Sequence, residues 1–129
     1  MNHFQPRRGQ LHAERIPLAA LARDHGTPLY VYSTATLTRH WKVLASSLRG
    51  LDALVCYAVK ANSNLAVLAT FARLGAGFDI VSGGELFRVL KAGGHPGRVV
   101  FSGVGKRDDE LVRSIATGWW CRNCSSRRE

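Results

Sequence analysis

Lys60 stands at the end of an apolar run, Leu54-Val55-Cys56-Tyr57-Ala58-Val59, and is followed by Ala61-Asn62-Ser63-Asn64. A primary amine at such a place can serve as a covalent anchor. The unbroken apolar run predicts a buried parallel strand with no polar face. In folds that alternate strands and helices, the carboxyl end of such a strand is where active sites are built. Partial desolvation in that mouth would lower the pKa of the amine and leave more of it neutral, able to attack an aldehyde and form a Schiff base. Pyridoxal phosphate works through such a linkage, its ring acting as the electron sink. By position alone, Lys60 also fits a solvated loop residue.

Two further strand ends carry polar or glycine-rich sequence on what should be the same face. One is Asp79 to Glu85, with Ser82-Gly83-Gly84, and the other is Ser102-Gly103-Val104-Gly105-Lys106. Asp79 lies inside the apolar stretch Phe78-Asp79-Ile80-Val81, and a buried carboxylate needs a partner. The glycine clusters fit tight turns as well as phosphate cradles. No Gly-x-Gly-x-x-Gly or Gly-x-x-x-x-Gly-Lys-Ser/Thr pattern occurs, so a nucleotide-binding loop is not supported.

The elements that must position these groups alternate from about residue 28 onward. Pro17 suits a first helical position, and Leu18, Leu21 and Ala22 predict a short helix ending near Gly26. Leu29-Tyr30-Val31-Tyr32 reads as a strand. Ser33 or Thr34 can cap a helix that runs through Leu37, Trp41, Leu44, Ala45 and Leu48 and is closed by Gly50. A strand over 52–59 follows, then a helix from about Asn64 to Leu74, capped by Asn62 or Ser63 and stopped by Gly75. The pattern repeats with a strand over 78–81, a helix from Gly84 to Ala92 stopped by Gly93-Gly94, and a strand at Val99-Val100-Phe101. A last helix is predicted over Arg107 to Ala116, with Asp108, Asp109 and Glu110 in the first turn, where the helix dipole favours negative charge. Strand starts spaced roughly 20 to 25 residues apart with short loops indicate consecutive right-handed βαβ units. The fold class is therefore α/β with a parallel sheet, and its units fit either a small open sheet or the first part of a (β/α) barrel.

Composition narrows the function classes. With 129 residues, 46% hydrophobic and 21% charged, the chain is of ordinary globular type. No segment approaches the roughly 20 apolar residues of a membrane span, and no apolar stretch follows the polar start to make a secretory signal. A cytoplasmic location is expected. The net charge of +9 raises nucleic-acid binding, yet the basic residues are scattered, with only Arg7-Arg8, Lys106-Arg107 and Arg127-Arg128 adjacent and no interleaved aromatics to stack bases. No nucleic-acid partner and no membrane partner are expected. Cys56, Cys121 and Cys124 give no disulfide framework, and Cys121-Arg122-Asn123-Cys124 lacks the second pair of ligands that a zinc site requires.

Three blocks carry a resemblance: Tyr57-Ala58-Val59-Lys60-Ala61-Asn62-Ser63-Asn64, Gly77-Phe78-Asp79-Ile80-Val81-Ser82-Gly83-Gly84-Glu85-Leu86 and Val99-Val100-Phe101-Ser102-Gly103-Val104-Gly105-Lys106. In order and spacing they resemble the first three barrel strands of the diaminopimelate decarboxylase branch of the alanine-racemase-like pyridoxal phosphate enzymes, over roughly residues 10 to 117. Ornithine and arginine decarboxylases share a lysine of this type, but the second and third blocks favour the diaminopimelate branch. The resemblance implies that Lys60 forms the internal aldimine with pyridoxal phosphate and that Asp79 supports Lys60 or its cofactor. It implies decarboxylation of meso-diaminopimelate to L-lysine, in a subunit that is a homodimer in the family. It implies a partial TIM-type (β/α) barrel of the first three βα units over 34–117, preceded by an amino-terminal segment, 1–33, with a short helix and strand.

The family's glycine-rich phosphate loop, the acidic residue facing the pyridine nitrogen and the stacking histidine come from later sequence and have no counterpart here. His95, in Gly94-His95-Pro96-Gly97, fits a solvated turn. After Gly118 a fourth apolar strand is due, whereas Trp119-Trp120-Cys121-Arg122-Asn123-Cys124 is poor material for a buried strand. Residues 118–129 are therefore expected to be an aberrant tail, the reading frame having been lost or the gene interrupted near Gly118. The expectation is an amino-terminal fragment of a decarboxylase, inactive by itself. The competing expectations are a basic, non-catalytic binding module and a fragment of a related ornithine or arginine decarboxylase.

Overall fold

The computed structural model describes residues 3–102 and the backbone of Trp120–Cys121. The chain divides into two compact units, residues 1–47 and 48–129.

The first unit opens with an antiparallel sheet of three short strands, β1 (Phe4–Arg7), β2 (Gln10–Ala13) and β3 (Ile16–Pro17), in that order. Both connections are two residues long. Arg8 and Gly9 close the first with φ of 50° and 77°, the left-handed pair that matches the twist of a hairpin. Helices α1 (Leu18–His25) and α2 (Thr34–Ser47) follow. Gly26 and Gly50 take left-handed φ where the sequence places helix ends. Leu29–Tyr32, expected as a strand, forms none. These residues have no sheet partner among the described residues, and Tyr30 is 88% exposed, so apolar type alone did not make a strand there.

Glu14 holds this unit together locally. It sits in the β2–β3 turn at φ 56°, and its Oε1 accepts hydrogen bonds from Ser33 Oγ (2.8 Å) and from the Ala35 backbone N–H (2.9 Å). Ser33 Oγ in turn accepts from the Thr36 N–H at 3.0 Å, so Ser33 is the cap of α2. A carboxylate at a helix amino terminus is favoured by the dipole. Hydrogen bonds from Ala35 and then Ser33 hold the Glu14 carboxyl below the usual carboxylate range.

The second unit contains a parallel sheet of β4 (Cys56–Ala58), β5 (Gly77–Ile80), β6 (Val99–Phe101) and β7 (Trp120–Cys121), in chain order. Helices α3 (Leu65–Arg73) and α4 (Gly83–Lys91) connect the first three strands. Trp120–Cys121, read from sequence as poor strand material, nevertheless pairs with β6. The helix expected over 107–116 and Gly103–Lys106 lie outside the described residues, as does Cys124.

Residue alternation gives this sheet two unlike faces. Tyr57, Phe78, Ile80, Val99 and Phe101 lie on the helix-packed face. The Tyr57 ring stacks on Phe71 of α3 at 4.2 Å between centroids, and Phe78, Ile80 and Val99 are fully buried, with Leu68 and Val89 of the helices in the same core. Burying one such side chain contributes about 1.5–3 kcal/mol. The opposite face carries Cys56, Ala58, Asp79 and Val100, none fully buried.

Helix ends set the register of the strands. Gly75, at φ 78°, donates to the Ala72 carbonyl and Ala76 to that of Phe71. After α4, Gly93, at φ 83°, donates to Leu90 and Gly94 to Val89. Both are Schellman endings, in which glycine supplies the left-handed residue. Gly77 is demanded by close approach instead. A Cβ there would stand 2.6 Å from Cys56 Sγ and 2.9 Å from the Arg98 carbonyl oxygen.

Candidate active site

Lys60 lies just past the carboxyl end of β4, within a 3₁₀ turn over Val59–Ala61. The strand is shorter than the predicted 52–59, although Gly77 N–H donates to the Val55 carbonyl and extends the ladder by one residue. Val59 is fully buried and anchors the turn, whereas Lys60 is exposed. The described residues therefore do not supply the desolvation expected around the amine. Among them, the amine has no hydrogen-bond or ion-pair partner.

The sequence after the lysine is tied down. Tyr57 Oη donates to the Asn62 carbonyl at 3.2 Å, and Asn62 Oδ1 accepts from the Asn64 N–H at 2.9 Å. Asn64, rather than Asn62 or Ser63, caps α3, its Oδ1 accepting from the Ala66 N–H at 2.9 Å. Arg88 of α4 reaches the Ser63 carbonyl at 3.4 Å.

Asp79 lies next to β4 in the register, opposite Ala58, with Val100 opposite it on the other side. It is half-buried and on the open face rather than among the core side chains. The partner that sequence reasoning required is Ser102, whose hydroxyl donates to Asp79 Oδ1. Sequence reading had Ser102 at the right strand end but no signal that paired it with Asp79. That pairing comes from the β5–β6 register. Cys56 is the other neighbour. Burial, and after it the charge of Asp79, pushes its thiol above the usual range. Lys60 thus follows β4 and Asp79 lies in the carboxyl half of the adjacent β5, and the 3₁₀ turn carrying Lys60 contacts β5.

Ser82 serves a structural purpose. It caps α4, accepting from the Glu85 N–H at 3.3 Å, while Glu85 Oε2 accepts from the Val81 N–H at 2.8 Å, a reciprocal pairing close to a capping box. His95 caps the short turn before β6, Nδ1 accepting from the Gly97 N–H at 3.1 Å. A separate concavity of about 640 Å³ is formed wholly within residues 3–35 and includes neither Lys60 nor Asp79. No cluster of metal-ligating side chains occurs among the described residues, and no helix among them is long and apolar enough to cross a membrane.

These residues fit the aldehyde end of a pyridoxal group. An exposed primary amine, unpartnered among the described residues, stands at the carboxyl edge of a parallel sheet, with a carboxylate on the adjoining strand. No phosphate-binding loop is seen among the described residues.

Comparison with known proteins bears on the same segment. The chain is 60% identical over 121 residues to a diaminopimelate decarboxylase of Vibrio cholerae, covering 94% of this chain and 29% of that protein. It is 53% identical over 129 residues to that of Pseudomonas fluorescens, covering all of this chain and 31% of the relative. The chain therefore spans about a third of the length of these relatives. Among solved structures it superposes on an Aquifex aeolicus protein with a TM-score of 0.84 at 43% identity, over 91% of this chain and 29% of the other. It superposes on Helicobacter pylori diaminopimelate decarboxylase complexed with L-lysine with a TM-score of 0.74 at 40% identity, over 79% of this chain and 26% of the other. The relatives favour the decarboxylase reading over a basic binding module. The family profile described as pyridoxal-dependent decarboxylase, pyridoxal binding domain, matches residues 34–129. The chain belongs to the pyridoxal-dependent decarboxylases, and the segment that carries Lys60 and Asp79 falls within their pyridoxal-binding domain.

Proposed function

We propose that this chain carries the cofactor-anchoring part of a diaminopimelate decarboxylase, a carboxy-lyase converting meso-diaminopimelate to L-lysine with pyridoxal phosphate. The observation that carries the reading is the Lys60 amine, exposed and unpartnered among the described residues at the carboxyl edge of the parallel sheet, inside the matched domain. When bound, the cofactor supplies an electron sink for the electron pair left as the α-carboxylate departs.

The chain's own residues hold and orient. Lys60 would hold the cofactor through its Nζ, and the freed amine would take up a proton. Asp79, on the adjoining strand opposite Ala58, is the carboxylate that supports Lys60 or the group it carries. The turn fixed by Val59, Tyr57 and Asn62 limits where the Lys60 backbone can move. The parallel order β4-β5-β6 supports a partial (β/α) barrel over 34–117, with 1–33 as an amino-terminal segment and 118–129 following it. A cytoplasmic homodimer using meso-diaminopimelate, with decarboxylation completed by the remainder of such a subunit, is part of the same reading.

The test is to incubate the chain with pyridoxal phosphate, reduce with borohydride and map the modified lysine by mass spectrometry. Lys42, Lys91 and Lys106 are internal controls. Modification should concentrate at Lys60 and be lost from that peptide in Lys60→Ala. Labelling spread evenly over all four lysines would refute the assignment.

A further inference from the structure

The position of Ser102 is set by the backbone. Its N–H donates to the Ile80 carbonyl at 3.0 Å, continuing the β5–β6 ladder one residue beyond the Ile80–Phe101 pair. Alternation then places Ser102 on the same face as Val100 and Asp79, opposite the buried Phe101. The cross-strand neighbours of Asp79 are Ala58 and Val100, neither of which has a polar side chain. Ser102 Oγ is accordingly the hydrogen-bond donor that the structure gives to the Asp79 carboxylate among the described residues. A hydrogen bond to an ionised acceptor is roughly twice as strong as a neutral one, enough to select one orientation of a short side chain.

We propose that Ser102 is a positioning residue for Asp79, its hydroxyl occupying Oδ1 and holding the carboxylate on the open face of the sheet with Oδ2 available to a cationic partner. The identity of that partner as Lys60, or the group it carries, rests on the function proposed above. The hold of Ser102 on Asp79 does not. Cys56 makes the two separable, because its thiol lies on the same face and feels the charge of Asp79.

The experiment uses the full chain with Cys121→Ser and Cys124→Ser, so that Cys56 is the single thiol, and follows the iodoacetamide alkylation rate against pH. Asp79→Asn should move the profile to lower pH, since a repelling charge is lost. Ser102→Ala should move it part of the way in the same direction, because a released carboxylate swings into water, where its field at the sulfur is weaker. In the double variant Ser102→Ala should add nothing, and Ser102→Thr, which keeps the hydroxyl, should retain the parent profile. A Ser102→Ala profile that stays at the parent position, or one that shifts equally in the Asp79→Asn background, overturns the proposal. So does an Asp79→Asn profile that does not move, since the carboxylate is then not where Ser102 would hold it. Borohydride trapping of pyridoxal phosphate at Lys60, measured on the same variants, should fall about tenfold for both Ser102→Ala and Asp79→Asn. Trapping that is unchanged in all variants, including Lys60→Ala, removes the proposed function while the thiol profiles still decide the Ser102–Asp79 pair.

Discussion

Replacing Gly77 by alanine is the most searching test of how β4, β5 and β6 fit together. Gly77 does not have a left-handed φ, so backbone conformation does not forbid the change. On chain entropy alone, alanine would stabilise by about 0.4–1 kcal/mol. The contacts reverse the sign. The new Cβ would lie 2.6 Å from Cys56 Sγ, 3.1 Å from Leu54 Cδ2 and 2.9 Å from the Arg98 carbonyl oxygen. Side-chain atoms can rotate away, but the Arg98 carbonyl belongs to the turn that starts β6 and is tied by the bond from Arg98 N–H to the His95 carbonyl. Overpacking of this kind costs about 1–3 kcal/mol, and the backbone contact places Gly77→Ala near about 2 kcal/mol net. With an m-value of about 2 kcal/mol/M, the urea midpoint followed by far-ultraviolet circular dichroism should fall by about 1 M. Cys56→Ala should recover about 1 kcal/mol in the Gly77→Ala background, while costing stability on the native glycine, so the two changes are strongly non-additive. A Gly77→Ala midpoint equal to that of the parent, or simple additivity with Cys56→Ala, would refute this account of the strand spacing.

Protonating Glu14 should loosen the start of α2. Its folded-state pKa is depressed, so its contribution is present above the unfolded-state value and is lost as pH falls through the lower folded-state value. Amide protection of Ala35 and Thr36 should decline across that acid range, and Glu14→Gln should flatten the decline. Ser82→Ala removes the cap of α4 and should cost about 1 kcal/mol in thermal unfolding, with no rotation of β5. Phe78→Ala, at a fully buried position, should cost about 3–5 kcal/mol, a large share of the roughly 5–15 kcal/mol of an ordinary domain, and should lower the urea midpoint accordingly.

The second unit was legible in the sequence because its signals agree. Apolar runs, a glycine after each helix and a polar residue before each helix all mark the same boundaries, and the observed α3, β5, α4 and β6 fall within a residue or two of the predicted ones. The exceptions have local causes. Asn64 caps α3 because its own Oδ1 reaches Ala66, while Asn62 is spent on Asn64 and on Tyr57. Lys60 was visible from its place after an apolar run, and Asp79 from its misfit within one. Ser102 as the partner of Asp79 was not, since hydrogen bonding across a parallel pair depends on register, which no local pattern encodes. Leu29–Tyr32 shows the opposite failure. β-branched and aromatic type signals a pleated, half-buried surface only if another strand is there to meet it.

The two Schellman endings act as counters along the chain. Each closes its helix with backbone bonds that do not depend on distant contacts, and the next strand begins two residues after Gly75 and six after Gly93. The phase of β5 is thus set by a local count from Gly75. Deleting Ala76 would turn Asp79 from the open face toward the helices and carry Phe78 the other way. The carboxylate at the proposed site is therefore positioned by chain length as much as by chemistry, and this segment should accept substitution far more readily than a change of one residue in length.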